Sequence, residues 1–298
     1  MVFPKVPDQH KPGRPLIPNG LGVLFVLTTT VYLFSIYFSN KVFNLGLDTS
    51  ANGVSAALTL AVCILFGGFM GLLDDFMDLK WRYKAFMPLI AALPLMYYAL
   101  ELSKLGIIRT SISLPLVGTL DFGQTYIFII IPLIVMIVTN AVNMLGGLNG
   151  LETVCPAIVI LGLMAFSPSY ILMVGPLMFW LTLAYFNVRG KIFVGNAGSF
   201  AIGITIASFA VISDLKVNLL ISILPFIFNS SIILLAIFFT RKRAKVTFDG
   251  EKLCADGRKS LVTIIAYHRP LTERRIVQII AAIVALFTLI AALIQLLS

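Results

Sequence analysis

The chain alternates between long apolar runs and short polar segments, and this pattern holds from Gly20 to the end. Nine runs stand out: Gly20–Phe38, Val54–Leu73, Ala85–Leu102, Tyr126–Val142, Leu151–Phe166, Tyr170–Asn187, Ala197–Ser213, Leu219–Thr240 and Ile276–Leu297. Most approach the ~20 residues that a helix needs to cross a hydrocarbon layer. Inside such a layer each backbone N–H and C=O must be satisfied within its own segment, so each run predicts a helix. The fifth run is the shortest and carries Pro156, which leaves a tilted, kinked or partly re-entrant helix open. The expected fold class is all-α, a polytopic membrane bundle of about nine spans forming one transmembrane domain over residues 1–298.

The polar segments add little folded mass. The longest, residues 241–275, is a basic loop within that domain rather than a domain of its own. Met1–Asn19 is polar and rich in proline, so no cleavable signal peptide is expected. The prolines of Asp8–Gly22 exclude a regular helix and leave a fixed loop or a disordered tail. Composition agrees with the pattern: 59% of residues are hydrophobic and 12% charged, with mean hydropathy +1.00. A soluble domain would carry roughly twice that charged fraction. Cys63, Cys155 and Cys254 form no metal-binding pattern, and two lie inside apolar runs, where packing is their expected role.

Charge sets the orientation. Of the 22 Lys and Arg residues, all but Lys41, Lys104, Arg109 and Lys216 fall on the side that holds the N-terminus. That side is expected to be cytoplasmic, with the C-terminus outside. The net charge of +9 is concentrated there and suits an anionic lipid or substrate rather than nucleic acid.

Nearly all residues with chemical potential also lie on that side. In Gly67–Lys84 an apolar run ends at Asp74 and Asp75, with Asp78 one turn on and Lys80, Arg82 and Lys84 beyond. If the helix continues past Asp75, positions 74 and 78 share a face. A solvated helix end is one reading. Adjacent acids at a membrane boundary repel and are costly to desolvate, which favours a divalent cation, an ammonium partner or proton uptake. Thr139–Glu152 closes the fourth run with Asn140, Asn143 and Asn149 among Gly146, Gly147 and Gly150. A plain turn would use Asn and Gly, but it does not need Asn140 and Asn143 upstream at helical spacing. In Lys191–Gly203, spacing alone leaves phosphate contact at a helix start and close helix packing equally open. The loop Arg241–Arg275 begins RKRAK and ends in RPLTERR; it serves as cytoplasmic anchoring, as a phosphate clamp, or as both.

Together, LLDDFMDLKWRYKAFMPLIAALPL at Leu72–Leu95, NAVNMLGGLNGLE at Asn140–Glu152 and FVGNAGSFAIG at Phe193–Gly203 resemble the polyprenyl-phosphate N-acetylhexosamine-1-phosphate transferases. The chain is most similar to their eukaryotic and archaeal dolichyl-phosphate N-acetylglucosaminephosphotransferase branch. The segments Arg241–Leu253 and Arg269–Arg275 add weaker support. The resemblance implies transfer of a sugar 1-phosphate from a UDP-sugar, expected to be UDP-N-acetylglucosamine, to a polyprenyl or dolichyl phosphate, releasing UMP. This would be the first step of a lipid-linked glycan pathway, such as that of protein N-glycosylation. It implies Mg2+, with Mn2+ as a substitute, and a cytoplasmic active site in a cell membrane or an endoplasmic-reticulum membrane; a homodimer is left open. By the same resemblance Asn143 and Asn196 take the metal positions, Asn149 and Phe193 contact uracil, and Asn140 joins the substrate site. Lys84 meets the lipid phosphate beside Asp74 and Asp75, while Arg241 and Arg243 hold the pyrophosphate. Two departures stand out. Asn196 replaces an aspartate usual in the family, so Asp74 or Asp75 is expected to supply the missing charge. The family commonly has ten spans, and this sequence begins after the first. The alternatives are a weak or silent relative that binds lipid phosphate, and a lipid transporter. The latter would place polar residues at mid-span, where Asn229 is the main candidate.

Overall fold

The computed structural model describes residues 3–51, 53–114, 118–241 and 244–297. The chain opens with a small antiparallel hairpin, β1 (Lys5–Pro7) and β2 (Leu16–Pro18), in which Val6 faces Ile17. Helix α1 (Gly22–Phe43) leads to the short pair β3 (Ser50–Ala51) and β4 (Val54–Ser55), and then to α2 (Ala56–Met77). Next come α3 (Trp81–Phe86), α4 (Pro88–Ala91) and α5 (Leu93–Lys104), followed by the hairpin β5 (Ser111–Leu114) and β6 (Gly118–Asp121). A π-helical turn at Tyr126–Ile130 opens α6 (Ile131–Met144), followed by α7 (Leu151–Met164), α8 (Ile171–Val188), α9 (Gly195–Ile212) and α10 (Lys216–Thr240). The hairpin β7 (Val246–Phe248) and β8 (Leu253–Ala255), then α11 (Leu261–His268), precede α12 (Glu273–Leu297).

Among the described residues eight helices, counting Trp81–Lys104 as one run, are long and apolar enough to cross a membrane. The protein is therefore a polytopic integral membrane protein. Helix α7 has only 14 residues, a rise of about 21 Å, yet it traverses the bundle. The turn after it sits with the loops of the opposite end: Ser167 Oγ lies 2.7 Å from Ser213 Oγ, and Ser169 Oγ lies 3.4 Å from Thr49 Oγ1. Counted this way, nine passes among the described residues alternate through the bundle.

The spans match the expected runs to within a few residues, with instructive differences. The third is broken before Pro88 and near Pro94, because each proline ring lacks the N–H that would continue the helical hydrogen bonds, although Met87 before Pro88 keeps helical backbone angles. Helix α2 continues to Met77 and ends there, with Asp78 in the left-handed region (φ 44°) donating its N–H to Asp74 O at 3.0 Å. Asp78 thus caps the helix, and its carboxylate still comes to the same side as that of Asp74, since Lys84 Nζ lies 2.8 Å from Asp74 Oδ1 and 3.5 Å from Asp78 Oδ1. Asp8–Gly22 is ordered by the β1–β2 hairpin.

Helix α9 is the central pillar, buried along nearly its whole length. Its small residues let neighbours approach closely, as helix association in a membrane requires. A Cβ on Gly22 of α1 would fall 2.1 Å from Gly198 Cα, and one on Gly71 of α2 would fall 2.2 Å from Asn196 O. Helices α1 and α2 therefore rest backbone to backbone on the start of α9.

Candidate active site

One end of the bundle gathers the N-terminal hairpin, the end of α2, the α6–α7 loop, the α8–α9 loop and the start of α12. Between them opens a cavity of about 500 Å³ lined by Asp8, Asp75, Asn143, Asn149, Glu152, Phe193 and Asn196, with glycines of the α6–α7 loop. Segments far apart in sequence meet there because each lies at the same end of its helix.

Asp75 sits in the last turn of α2 and faces the start of α9. Its Oδ1 accepts the Asn196 N–H at 2.9 Å and its Oδ2 the Ala197 N–H at 3.0 Å. Both carboxylate oxygens satisfy amides that a helix start leaves without intrahelical partners. Asp74, one residue earlier, turns elsewhere: it is buried, accepts from Leu79 N–H at 3.0 Å and pairs with Lys84 Nζ at 2.8 Å. Asp74 and Lys84 are not among the cavity-lining residues.

Asn143 projects from the last turn of α6, and its Oδ1 accepts the Ser199 hydroxyl at 2.7 Å. Asn140, one turn earlier, instead gives its amide to Ala85 O at 3.1 Å and Met136 O at 2.8 Å, fastening α6 to α3 outside the cavity. Asn149 is buried. Its Nδ2 donates to Asp8 Oδ2 at 2.8 Å and Glu273 Oε1 at 3.1 Å, and its backbone N–H also reaches Glu273 Oε1 at 2.8 Å. Lys11 Nζ closes the set on Glu273 Oε2 at 2.8 Å. This network ties the N-terminal hairpin and α12 to the α6–α7 loop. Gly150 starts α7 at φ 95°, a conformation that favours glycine, and its N–H goes to the buried Asn187 Oδ1 at 2.8 Å.

Phe193 and Asn196 line the cavity from the α8–α9 loop, which is stitched to the N-terminal segment by Phe193 N–H to Pro18 O at 2.8 Å. Arg241 terminates α10 in the left-handed region (φ 52°) and is exposed away from the cavity; Arg243 lies outside the described residues. Asn229 is a bracket: its amide donates to Met144 O at 3.0 Å and accepts Leu261 N–H at 2.9 Å.

Sequence reasoning assigned no role to Glu152, Ser199, Asp8 or Glu273. Glu152 had a signal, a carboxylate at the second position of an otherwise apolar helix. Asp8 and Glu273 had none, because their partner Asn149 lies 141 and 124 residues away.

Among the described cavity-lining residues there are three carboxylates, on Asp8, Asp75 and Glu152, and no Lys or Arg. No group of three His, Cys, Asp or Glu among the described residues is placed to hold a metal ion alone. Beside the imidazole of His10, the lining offers carboxylates and side-chain amides, whose hard oxygens are of the kind that bind Mg2+ through one or two carboxylates completed by substrate phosphates. The residues present fit such an ion.

The bundle and its cleft thus define an integral membrane protein whose polar, acidic chemistry is confined to one end. The profile of glycosyl transferase family 4 matches residues 56–214, more than half of the chain, and the chain belongs to that family. It is 29% identical over 297 residues to a Saccharolobus solfataricus protein provisionally named UDP-N-acetylglucosamine–dolichyl-phosphate N-acetylglucosaminephosphotransferase, covering 97% of this chain and 87% of the relative. The Saccharomyces cerevisiae protein of that name is 26% identical over 194 residues, 53% of this chain and 40% of the relative. A phospho-N-acetylmuramoyl-pentapeptide-transferase of Streptococcus uberis is 26% identical over 264 residues, 82% of this chain and 73% of the relative.

Proposed function

We propose that this protein transfers N-acetylglucosamine 1-phosphate from UDP-N-acetylglucosamine to a dolichyl or related polyprenyl phosphate, with its cleft on the cytoplasmic face. The observation that carries the reading is an acidic cleft, without Lys or Arg among its described lining residues, at the basic end of a membrane bundle. A pyrophosphate entering three carboxylates is repelled unless a cation accompanies it. The names of the eukaryotic and archaeal relatives supply the substrates.

In the reaction an oxygen of the lipid phosphate forms a bond to the sugar-bearing phosphorus, the bridging P–O bond breaks, and UMP leaves with the bridging oxygen. Asn143, Asn196 and Glu152 would hold Mg2+, with Asp75 adding negative potential. Held there, such an ion would supply positive charge to offset the negative charge that grows on the leaving phosphate. The chain's own part is positioning. Phe193 offers a ring against which the base stacks, with Asn149 fixed beside it by Asp8 and Glu273. Asp75 holds the start of α9, and with it Asn196, in place. The Lys84 ammonium, paired with Asp74 and Asp78 and partly exposed beside the cleft, offers a cation to an approaching lipid phosphate. A polyprenyl phosphate is already ionised near neutral pH, so no general base is required.

The test is UMP release by the purified chain given Mg2+, polyprenyl phosphate and a panel of UDP-sugars. Release with UDP-N-acetylglucosamine, and little with UDP-N-acetylmuramoyl-pentapeptide, is expected. Release no greater than that of Asp75→Asn with any sugar overturns the reading.

A further inference from the structure

We infer that the Glu152 carboxylate is the charge that anchors a divalent cation in this cleft, next to the neutral amide of Asn143. The inference depends on the transferase reading for what the ion does, and not for where it binds.

The three cleft carboxylates differ in what they are already doing. Asp75 gives both oxygens to the amides that open α9. Asp8 is 1% exposed and receives Asn149 Nδ2 on one oxygen and His10 N–H on the other. Glu152 makes no ion pair among the described residues. Its carboxyl lies against Gly146, where a Cβ would come within 3.4 Å of Cδ. It also borders Ser199 and feels the negative charge of Asp75.

Ser199 has a single hydroxyl proton, and the 2.7 Å contact places it on Asn143 Oδ1. The same hydroxyl therefore makes Asn143 and Glu152 neighbours while leaving Glu152 short of a strong donor. Position 196 contributes an amide without charge. The start of α7 favours an ionised carboxylate at Glu152, but a helix end is only a partial charge. A partly buried carboxylate beside another carboxylate either takes up a proton or holds a full positive charge close by. No Lys or Arg among the described lining residues supplies one, His10 is the one imidazole there, and the carboxylate and amide oxygens around Glu152 favour a hard divalent ion.

The experiment is a titration of the purified full chain with Mn2+ alone, followed by electron paramagnetic resonance, alongside thermal unfolding without metal. Glu152→Gln is expected to weaken Mn2+ binding by about tenfold or more while unfolding near the wild-type temperature. Adding Asn196→Asp to that variant is expected to restore most of the affinity. Wild-type affinity in Glu152→Gln, or no Mn2+ binding by the unmodified chain, overturns the inference. Should Glu152→Gln fail to fold, Asn196→Asp alone carries the test, since a second carboxylate beside Glu152 must tighten binding several-fold and unchanged affinity overturns the assignment. UMP release separates the two proposals. Metal-dependent release that survives Glu152→Gln with unchanged Mn2+ affinity removes this inference and keeps the transferase. Glu152-dependent Mn2+ binding without UMP release does the opposite.

Discussion

At the residue scale, the lesson lies in Asp74 and Asp75. Their adjacency reads as a pair in sequence, but helix geometry sends successive side chains about 100° apart, and the two acids do different work. Asp75 caps α9 with both oxygens. Asp75→Ala should lower stability by about 1–2 kcal/mol, the usual worth of a lost helix-start acceptor with its charge. Asp75→Asn should cost less, because one oxygen acceptor remains. Thermal unfolding in detergent checks the order, and UMP release should fall in both. Asp74 instead depends on Lys84, whose side chain is 27% exposed. Lys84→Met leaves a buried carboxylate without its cation and should cost about 2–4 kcal/mol, toward the low side for a broken buried pair because Lys84 reaches solvent. Adding Asp74→Asn should recover part of the loss, so the double variant unfolds at a higher temperature than Lys84→Met alone. Additive losses would show that the pair does not interact. Which residue types gather at this end was legible from the chain. Which neighbour each one chooses was not, because Asp8 and Glu273 reach Asn149 only after the bundle closes.

At the element scale, the spans were legible because their signal is length and apolarity, which needs no tertiary context. The three-residue strands β1, β2, β7 and β8 carry too few positions for an alternating pattern to register. The glycines of Gly67–Lys84 and Lys191–Gly203 were ambiguous between ligand approach and packing, and the bundle uses several of them for packing. Gly71→Ala places a methyl group 2.2 Å from Asn196 O and must push α2 away from the start of α9. Because Asp75 and Asn196 move with those two segments, this variant should lose both thermal stability and UMP release. Gly257→Ala, whose nearest neighbour is Ala244 Cβ at 3.9 Å, should leave both unchanged. A Gly71→Ala protein with wild-type release would mean that the α2–α9 contact does not shape the cleft.

At the scale of the whole molecule, the distribution of basic residues and the position of the cleft are independent observations that coincide. The loops carrying most Lys and Arg lie at the same end of the bundle as the cavity, while Lys104, Arg109 and Lys216 lie at the other end, where Lys216 and Arg109 meet Asp214 at 2.6 and 2.9 Å. By the positive-inside rule the cleft is expected to face the cytoplasm, as the proposed function requires. The native cysteines allow this to be tested with few changes. Cys63 and Cys155 are fully buried, whereas Cys254 is partly exposed on β8, at the cleft end. A membrane-impermeant maleimide should label Cys254 in inside-out vesicles and not in intact cells, and Lys104→Cys, in a variant with Cys254 replaced by Ser, should show the reverse. Labelling of Cys254 in intact cells would place the cleft outside, beyond the reach of a cytoplasmic UDP-sugar. No activity measured in detergent could then rescue a cytoplasmic transferase, because detergent removes the barrier on which the argument depends.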